Sequence, residues 1–132
     1  MVSLTPEMKE SLAATKLAFL ATASKAGRPN VVPIGAFKLL DNGTLLISDQ
    51  FFQKTLANLK ENPQIALSWW GEKGGFQLKG TIAIHTSGKI FQDDVAWMKE
   101  LRPNLTPKGA VVVTITDVYQ IKAGADAGKK LL

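Results

Sequence analysis

The sequence predicts a mainly β, α+β domain, an antiparallel barrel or sandwich with two or three short helices. Three observations carry that expectation. Six or so β-type runs follow one another at hairpin spacing without a helix between each pair, which argues against a doubly wound parallel sheet. The segments between them form turns, above all Asp41-Asn42-Gly43 and the glycine-rich stretch Gly71–Gly75. The 132 residues are 45% apolar, which suits one domain with its own core.

The elements follow in order. Thr5-Pro6-Glu7 opens a helix: Thr can cap, Pro suits the first turn and Glu suits the positive end. This N-terminal helical segment, within residues 1–16, should end near Ala14. Leu17–Ala23 reads as a strand, Ala26–Pro29 as a turn and Asn30–Leu40 as a second strand. Pro33 and Gly35 lie inside that strand. Proline removes a ladder donor, so an edge, a bulge or a strand opened for a ligand is expected there. Thr44–Ser48 is the third strand. Gln53–Glu61 is a helix with Leu56 and Leu59 on one face and Asn62-Pro63 as its stop. Gln64–Trp70 and Phe76–Thr86 are the fourth and fifth strands. Gln92–Leu101 is a helix that Pro103 ends, and Ala110–Ile115 with Val118–Lys122 close the domain, continuous or kinked. Residues 123–132 read as a flexible tail.

Composition removes several classes of chemistry. The chain has no cysteine, which excludes disulfides, iron–sulfur clusters and cysteine–zinc sites and fits a reducing compartment. The N-terminus shows no basic start followed by a long apolar run, and Ala18–Ala23 is far too short to span a bilayer. A cytoplasmic protein without membrane contact is expected. The net charge of +5 comes from scattered lysines and arginines, with no like-charge block of the kind that marks a nucleic-acid tail. GxGxxG and GxxxxGKS are both absent, so the usual dinucleotide and nucleoside-triphosphate fingerprints are missing. No metal site is expected, because His85 is the single histidine and has no carboxylate at a helpful spacing. Asp93-Asp94 follow the expected start of the third helix, where acids simply suit the dipole.

The most informative stretch runs from Ser48 to Leu59. A strand ends, a polar loop follows, and a helix opens with Lys54 and Thr55. Free backbone N–H groups, a partial positive charge, a lysine and a hydroxyl together suit a phosphate. The pattern is also met by a solvated lysine and a simple helix cap, and the local residues alone do not separate the two.

The segment Val31–Trp69 resembles the pyridoxamine 5′-phosphate oxidase-like split barrels that bind flavin mononucleotide (FMN). The shared features are Lys54, Asn58, Leu59, Asn62 and Pro63 in order, the Phe76–Gly80 strand and the closing Ala110–Thr114 strand. They are most similar to those of the small FMN-binding proteins of sulfate-reducing bacteria. The resemblance spans roughly Leu17 to Lys122 and implies a six- to seven-stranded antiparallel split β-barrel.

It also implies a site. Lys54 and Thr55, with Gln53 alongside, would hold the FMN phosphate. Val32, Pro33 and Ile34 would lie against the isoalloxazine edge, and Ser48 and Asp49, at the end of the third strand, would offer backbone or side-chain hydrogen bonds to the ring. Asn58 would either join the site or tie the helix to its loop. Trp69, Trp70, Trp97 and Phe52 are candidates for an aromatic wall, with core or dimer packing as the default. The flavin carries the redox chemistry, so no catalytic acid, nucleophile or metal is required of the chain. The implied function is electron transfer or an FMN-dependent oxidoreductase acting on a small substrate, in a homodimer whose interface lies near Lys79-Gly80. The chain ends in AGADAGKKLL, without the C-terminal arginine and histidine contacts of the vitamin B6 oxidases, so that reaction is not expected. Related split barrels take the deazaflavin F420 or haem instead. A non-enzymatic barrel for single-stranded nucleic acid, using Trp69-Trp70 near Lys73, is the reading furthest from these.

Overall fold

In the computed structural model, which describes residues 2–132, the chain forms three helices and seven strands. They run α1 (Pro6–Ala13), β1 (Ala18–Ala23), β2 (Pro29–Ile34), β3 (Phe37–Leu39), β4 (Thr44–Asp49), α2 (Lys54–Glu61), β5 (Gln64–Trp69), β6 (Phe76–His85), α3 (Gly88–Leu101) and β7 (Gly109–Gln120). All strand pairs are antiparallel, in the order β2-β1-β5-β6-β7-β4-β3. The sheet curls into a half-barrel around one apolar core, as the sequence predicts.

The core follows from strand periodicity. Leu20, Leu67, Leu78 and Val118 stand opposite one another across four strands, and all are fully buried. Leu45, Ile47, Val111 and Val113 extend that layer, while Leu4, Met8 and Leu12 from α1 and its lead-in plug one end. Thr5 caps α1, its hydroxyl accepting from Met8 N–H at 3.3 Å. Trp69 packs at 6.0 Å from Phe76 and donates its indole N–H to Ser11 at 2.9 Å, so it belongs to the core.

The expected second strand, Asn30–Leu40, is broken at Gly35-Ala36. Its first half pairs with β1 and its second half with β4, which are opposite regions of the curled sheet. Pro33 supplies no ladder donor and Gly35 no side chain, so the chain can cross from one sheet edge to the other there. Ser48 N–H donates to Ala36 C=O at 2.9 Å and ties this crossing to the end of β4.

The two closing strands are one, β7, with a register shift between Lys79 and Gly80 of β6 that leaves Thr116 as the extra residue. Thr116 fills the bulge by donating to Lys79 C=O at 3.2 Å. Gly80 is required by this close approach, since a Cβ would collide with the Thr114 carbonyl oxygen. α3 begins at Gly88, four residues before the expected start, so Asp93 and Asp94 lie within the helix. Residues 123–132 turn back along β7 instead of fraying: Leu131 N–H donates to Val118 C=O at 2.8 Å and Gln120 N–H to Lys129 C=O at 2.8 Å. Backbone groups at the far end of β7 thereby gain partners that the sequence does not reveal. No helix among the described residues is long and apolar enough to cross a membrane.

Candidate functional site

A cleft of about 450 Å³ opens where β2 crosses to β3, beside the start of α2 and the end of α3. Val32, Pro33 and Ile34 form a mostly apolar wall, and Phe51, Phe52 and Leu105 add to it. Ser48, Gln50, Gln53, Lys54, Thr55 and Arg102 supply the polar groups, and no carboxylate lines the cleft. The size and the sparse polar lining suit a small organic ligand.

α2 opens onto this cleft without a side-chain cap. Its first backbone bond runs from Ala57 N–H to Gln53 C=O at 3.1 Å, which leaves the N–H groups of the first turn without helical partners. Lys54 and Thr55 occupy the first two positions of the helix. Lys54 is exposed and takes part in no ion pair among the described residues. Thr55 is buried, and its hydroxyl accepts from the Asn30 amide at 3.1 Å, which leaves its own proton free to donate. The same Asn30 amide donates to Thr22 at 3.2 Å, and Asn58 donates to Thr22 at 3.1 Å. This network fixes α2 against β1 and β2, and the Asn58 amide reaches a strand and not the loop before its helix. Asn58 lies outside the main cleft and lines a second one of about 500 Å³ with Ser24, Arg28, Pro29, Asn30, Ala57 and Lys54. Lys54 thus stands between the two.

The loop between β4 and α2 is held from below. Asp49 is buried and accepts from Phe52 N–H at 2.9 Å, with the Lys108 ammonium at 3.9 Å. Lys108 also donates to Phe52 C=O at 2.6 Å. Burial raises the Asp49 carboxyl above its ordinary value, while the Phe52 N–H and Lys108 work in the opposite direction. The Asp49 side chain therefore shapes the loop, and Asp49 is not among the residues that line the cleft. Its Oδ1 is taken by its own loop: it accepts the Phe52 N–H and faces Lys108.

Sequence reasoning missed Arg102 and misread Asp94. Arg102 ends α3, and its guanidinium lies over Gly35, where a Cβ would stand 3.0 Å from Nη2. Nothing local marks this arginine, because its place comes from docking α3 on the sheet. Asp94 is fully buried on α3, and neither carboxylate oxygen has a hydrogen-bond partner. Desolvation raises its carboxyl above the usual range. The neighbouring Ser48 hydroxyl and Lys38 oppose this, but neither holds the carboxylate in a bond of good geometry.

Of the aromatic candidates, Phe52 lines the cleft and the three tryptophans do not. Trp97 instead lies under the Lys38 ammonium, 4.5 Å from its ring centroid. Trp69 is buried and Lys73 is paired with Glu10 at 2.8 Å, so of the Trp69-Trp70 pair only Trp70 is exposed, and the two do not form a joint stacking platform. His85 lines neither cleft. The described residues contain no cluster of His, Asp or Glu able to hold a metal.

Comparison with known proteins agrees with this architecture. Residues 4–122 match the pyridoxamine 5′-phosphate oxidase family. An uncharacterised protein of Methanocaldococcus jannaschii is 46% identical over 131 residues, covering 97% of this chain and 87% of its own length. The crystal structure of HupZ from Group A Streptococcus superposes with a TM-score of 0.81 at 26% identity, covering 97% of this chain and all of that one. An FMN-binding protein from Syntrophomonas wolfei has the same fold, with a TM-score of 0.73, 17% identity, and coverage of 89% of this chain and 86% of its own. So do an F420 reductase, at a TM-score of 0.68, and the haem storage protein HutZ of Vibrio cholerae, at 0.60. One fold thus serves proteins named for three different ligands. With nine-tenths of its length matched, the chain belongs to the pyridoxamine 5′-phosphate oxidase family of split barrels.

Proposed function

We propose that the cleft binds FMN and that the protein is a flavin-dependent oxidoreductase or electron carrier for a small partner. One observation carries the reading: an uncapped helix opens onto an apolar-walled cleft with an unpaired lysine and a free hydroxyl donor at its first two positions. Lys54, Thr55 and the free N–H groups of α2 take the phosphate, and Gln53 stands beside them. Val32, Pro33 and Ile34 bear on the ring edge, and Phe52 and Leu105 exclude water from it. Ser48, at the end of β4, lines the cleft, with its hydroxyl accepting from the Gln50 amide. When bound, the flavin supplies the one- or two-electron chemistry, and the chain orients and shields it.

A homodimer is part of this reading. Phe19 pairs with Pro33 and Ala21 with Val31 on the outer face of β1 and β2, and Phe19 and Val31 are largely exposed. An apolar face that reaches the cleft through Pro33 suits a second subunit that completes the site.

F420 shares the phosphate chemistry and is the second reading, because the second cleft carries Arg28 beyond Lys54 and offers room for a longer anionic ligand. The visible spectrum of the purified protein, with analysis of any compound released by heat, decides between them. A two-banded flavin spectrum with released FMN is expected. A single deazaflavin band would change the cofactor, and a colourless protein that takes up no added FMN would end the flavin reading.

A further inference from the structure

We propose that Arg102 is a second anion-binding point in the main cleft, taking the carboxylate or similar oxyanion of a small substrate. The proposal rests on the flavin reading for its division of labour, in which Lys54 and Thr55 serve the cofactor phosphate. The anion contact itself can be measured with or without flavin.

The cleft contains two cations and no anion among its lining residues, so one phosphate at α2 accounts for Lys54 and leaves Arg102 unanswered. Arg102 forms no ion pair among the described residues, unlike Lys108, which is bound to Phe52 C=O and stands near Asp49. The two acids behind this wall do not neutralise it. Asp49 accepts from Phe52 N–H and is matched by Lys108, and Asp94 sits in an environment that favours its uncharged form.

Position strengthens the point. A cation at the end of α3 would ordinarily sit against that helix's last carbonyls. Here the guanidinium reaches to β2–β3 and lies over Gly35, with Nη2 at 3.0 Å and Cζ and Nη1 at 3.7 Å from the place a Cβ would take. Even a methyl group at position 35 would sit tightly against the guanidinium, which would have to give by a few tenths of an ångström, so the missing side chain lets the arginine lie close to the backbone. Its planar fork matches a carboxylate in a way that a lysine does not. Pro33, Phe51 and Leu105 line the same cleft and provide apolar surface for the body of such an acid.

The chain holds two arginines, Arg28 and Arg102, so their side-chain Nε–H signals can be resolved by NMR and assigned with Arg102→Gln. Benzoate is titrated at constant ionic strength, with benzamide as its neutral counterpart, into protein with and without saturating FMN. Benzoate should move the Arg102 signal saturably, benzamide should bind at least about tenfold more weakly, and Arg28 serves as the internal reference. Gly35→Ala, which shifts the guanidinium by a few tenths of an ångström, should weaken benzoate by less than Arg102→Gln does, and Arg102→Lys should restore less than half of the preference for the acid. The proposal is overturned if the Arg102 signal stays fixed, or if it follows benzamide as closely as benzoate. It is also overturned if FMN itself moves that signal and then excludes benzoate, because Arg102 would then belong to the cofactor. Absence of FMN binding would end the flavin reading alone, while the benzoate response of the flavin-free protein would still decide the role of Arg102.

Discussion

Replacing Lys54 by alanine tests the phosphate assignment directly. Lys54 contacts no carboxylate among the described residues, and its side chain is exposed at the start of α2. Its removal should therefore change folding stability by less than about 0.5 kcal/mol. A charge-assisted contact to phosphate contributes roughly 1.5–3 kcal/mol, so FMN affinity should fall about 10- to 150-fold. The loss should lie near the upper end at low salt and shrink as salt rises, because exposed charges are screened over about 10 Å at 0.1 M ionic strength. The assay is fluorescence titration of FMN and of riboflavin, which has the same ring but no phosphate. Wild type and variant should bind riboflavin alike, and only FMN should separate them. Equal FMN affinities would refute the assignment. A loss shared equally by riboflavin would show that Lys54 acts on the ring or on the loop.

Three further substitutions test the fold around the site. Asp94→Asn should stabilise the protein at neutral pH: the folded carboxyl is held above its ordinary value of 3.8, so stability is lost as pH rises from there toward the folded value. Urea unfolding between pH 4 and 8 should show the variant's advantage growing with pH, and an advantage independent of pH would contradict the burial argument. Gly80→Ala forces a methyl group against the Thr114 carbonyl and the Val113 side chain opposite the β7 bulge, and should cost about 1–3 kcal/mol in the same assay. Trp69→Phe removes the buried indole bond to Ser11 and should cost about 1–3 kcal/mol, seen as a lower urea midpoint with unchanged slope.

The sheet was legible because its signals are local. Leu20, Leu67 and Leu78 alternate with outward-facing neighbours, and Asp41-Asn42-Gly43 shows its turn chemistry openly, with Asp41 accepting from Gly43 N–H at 2.8 Å. The start of α2 was legible for the same reason, since Lys54 and Thr55 are adjacent in the chain and face one cleft. The break at Gly35-Ala36 was only hinted at by Pro33. Which sheet edge each half joins depends on β1 and β4, and no property of residues 30–40 encodes that choice. The start of α3 was read late because Lys89, Ile90 and Phe91 contain no capping signal. Ser87 at the cap position is a helix-start residue, but no acid or amide follows at the third helical position, Ile90, so the signal is weak.

That late start explains the misreading of Asp94. Placed in a first turn, an acid is a surface residue that answers the helix dipole. Placed seven residues into α3, on the face that carries Met98 inward, it is taken out of water with no donor to meet it. The same docking of α3 carries Arg102 over Gly35 at the far end of the helix. One shift in helix boundary thus takes two charged residues out of bland surface roles: Asp94 is buried behind the cleft, where desolvation raises its carboxyl, and Arg102 joins the cleft lining without an ion-pair partner among the described residues. The electrostatics of the site are set less by the residues that the family resemblance names than by how α3 sits on the sheet. Substitutions on the buried face of α3, such as Met98→Ala, should therefore alter anion binding at Arg102 even though Met98 lines no part of the cleft.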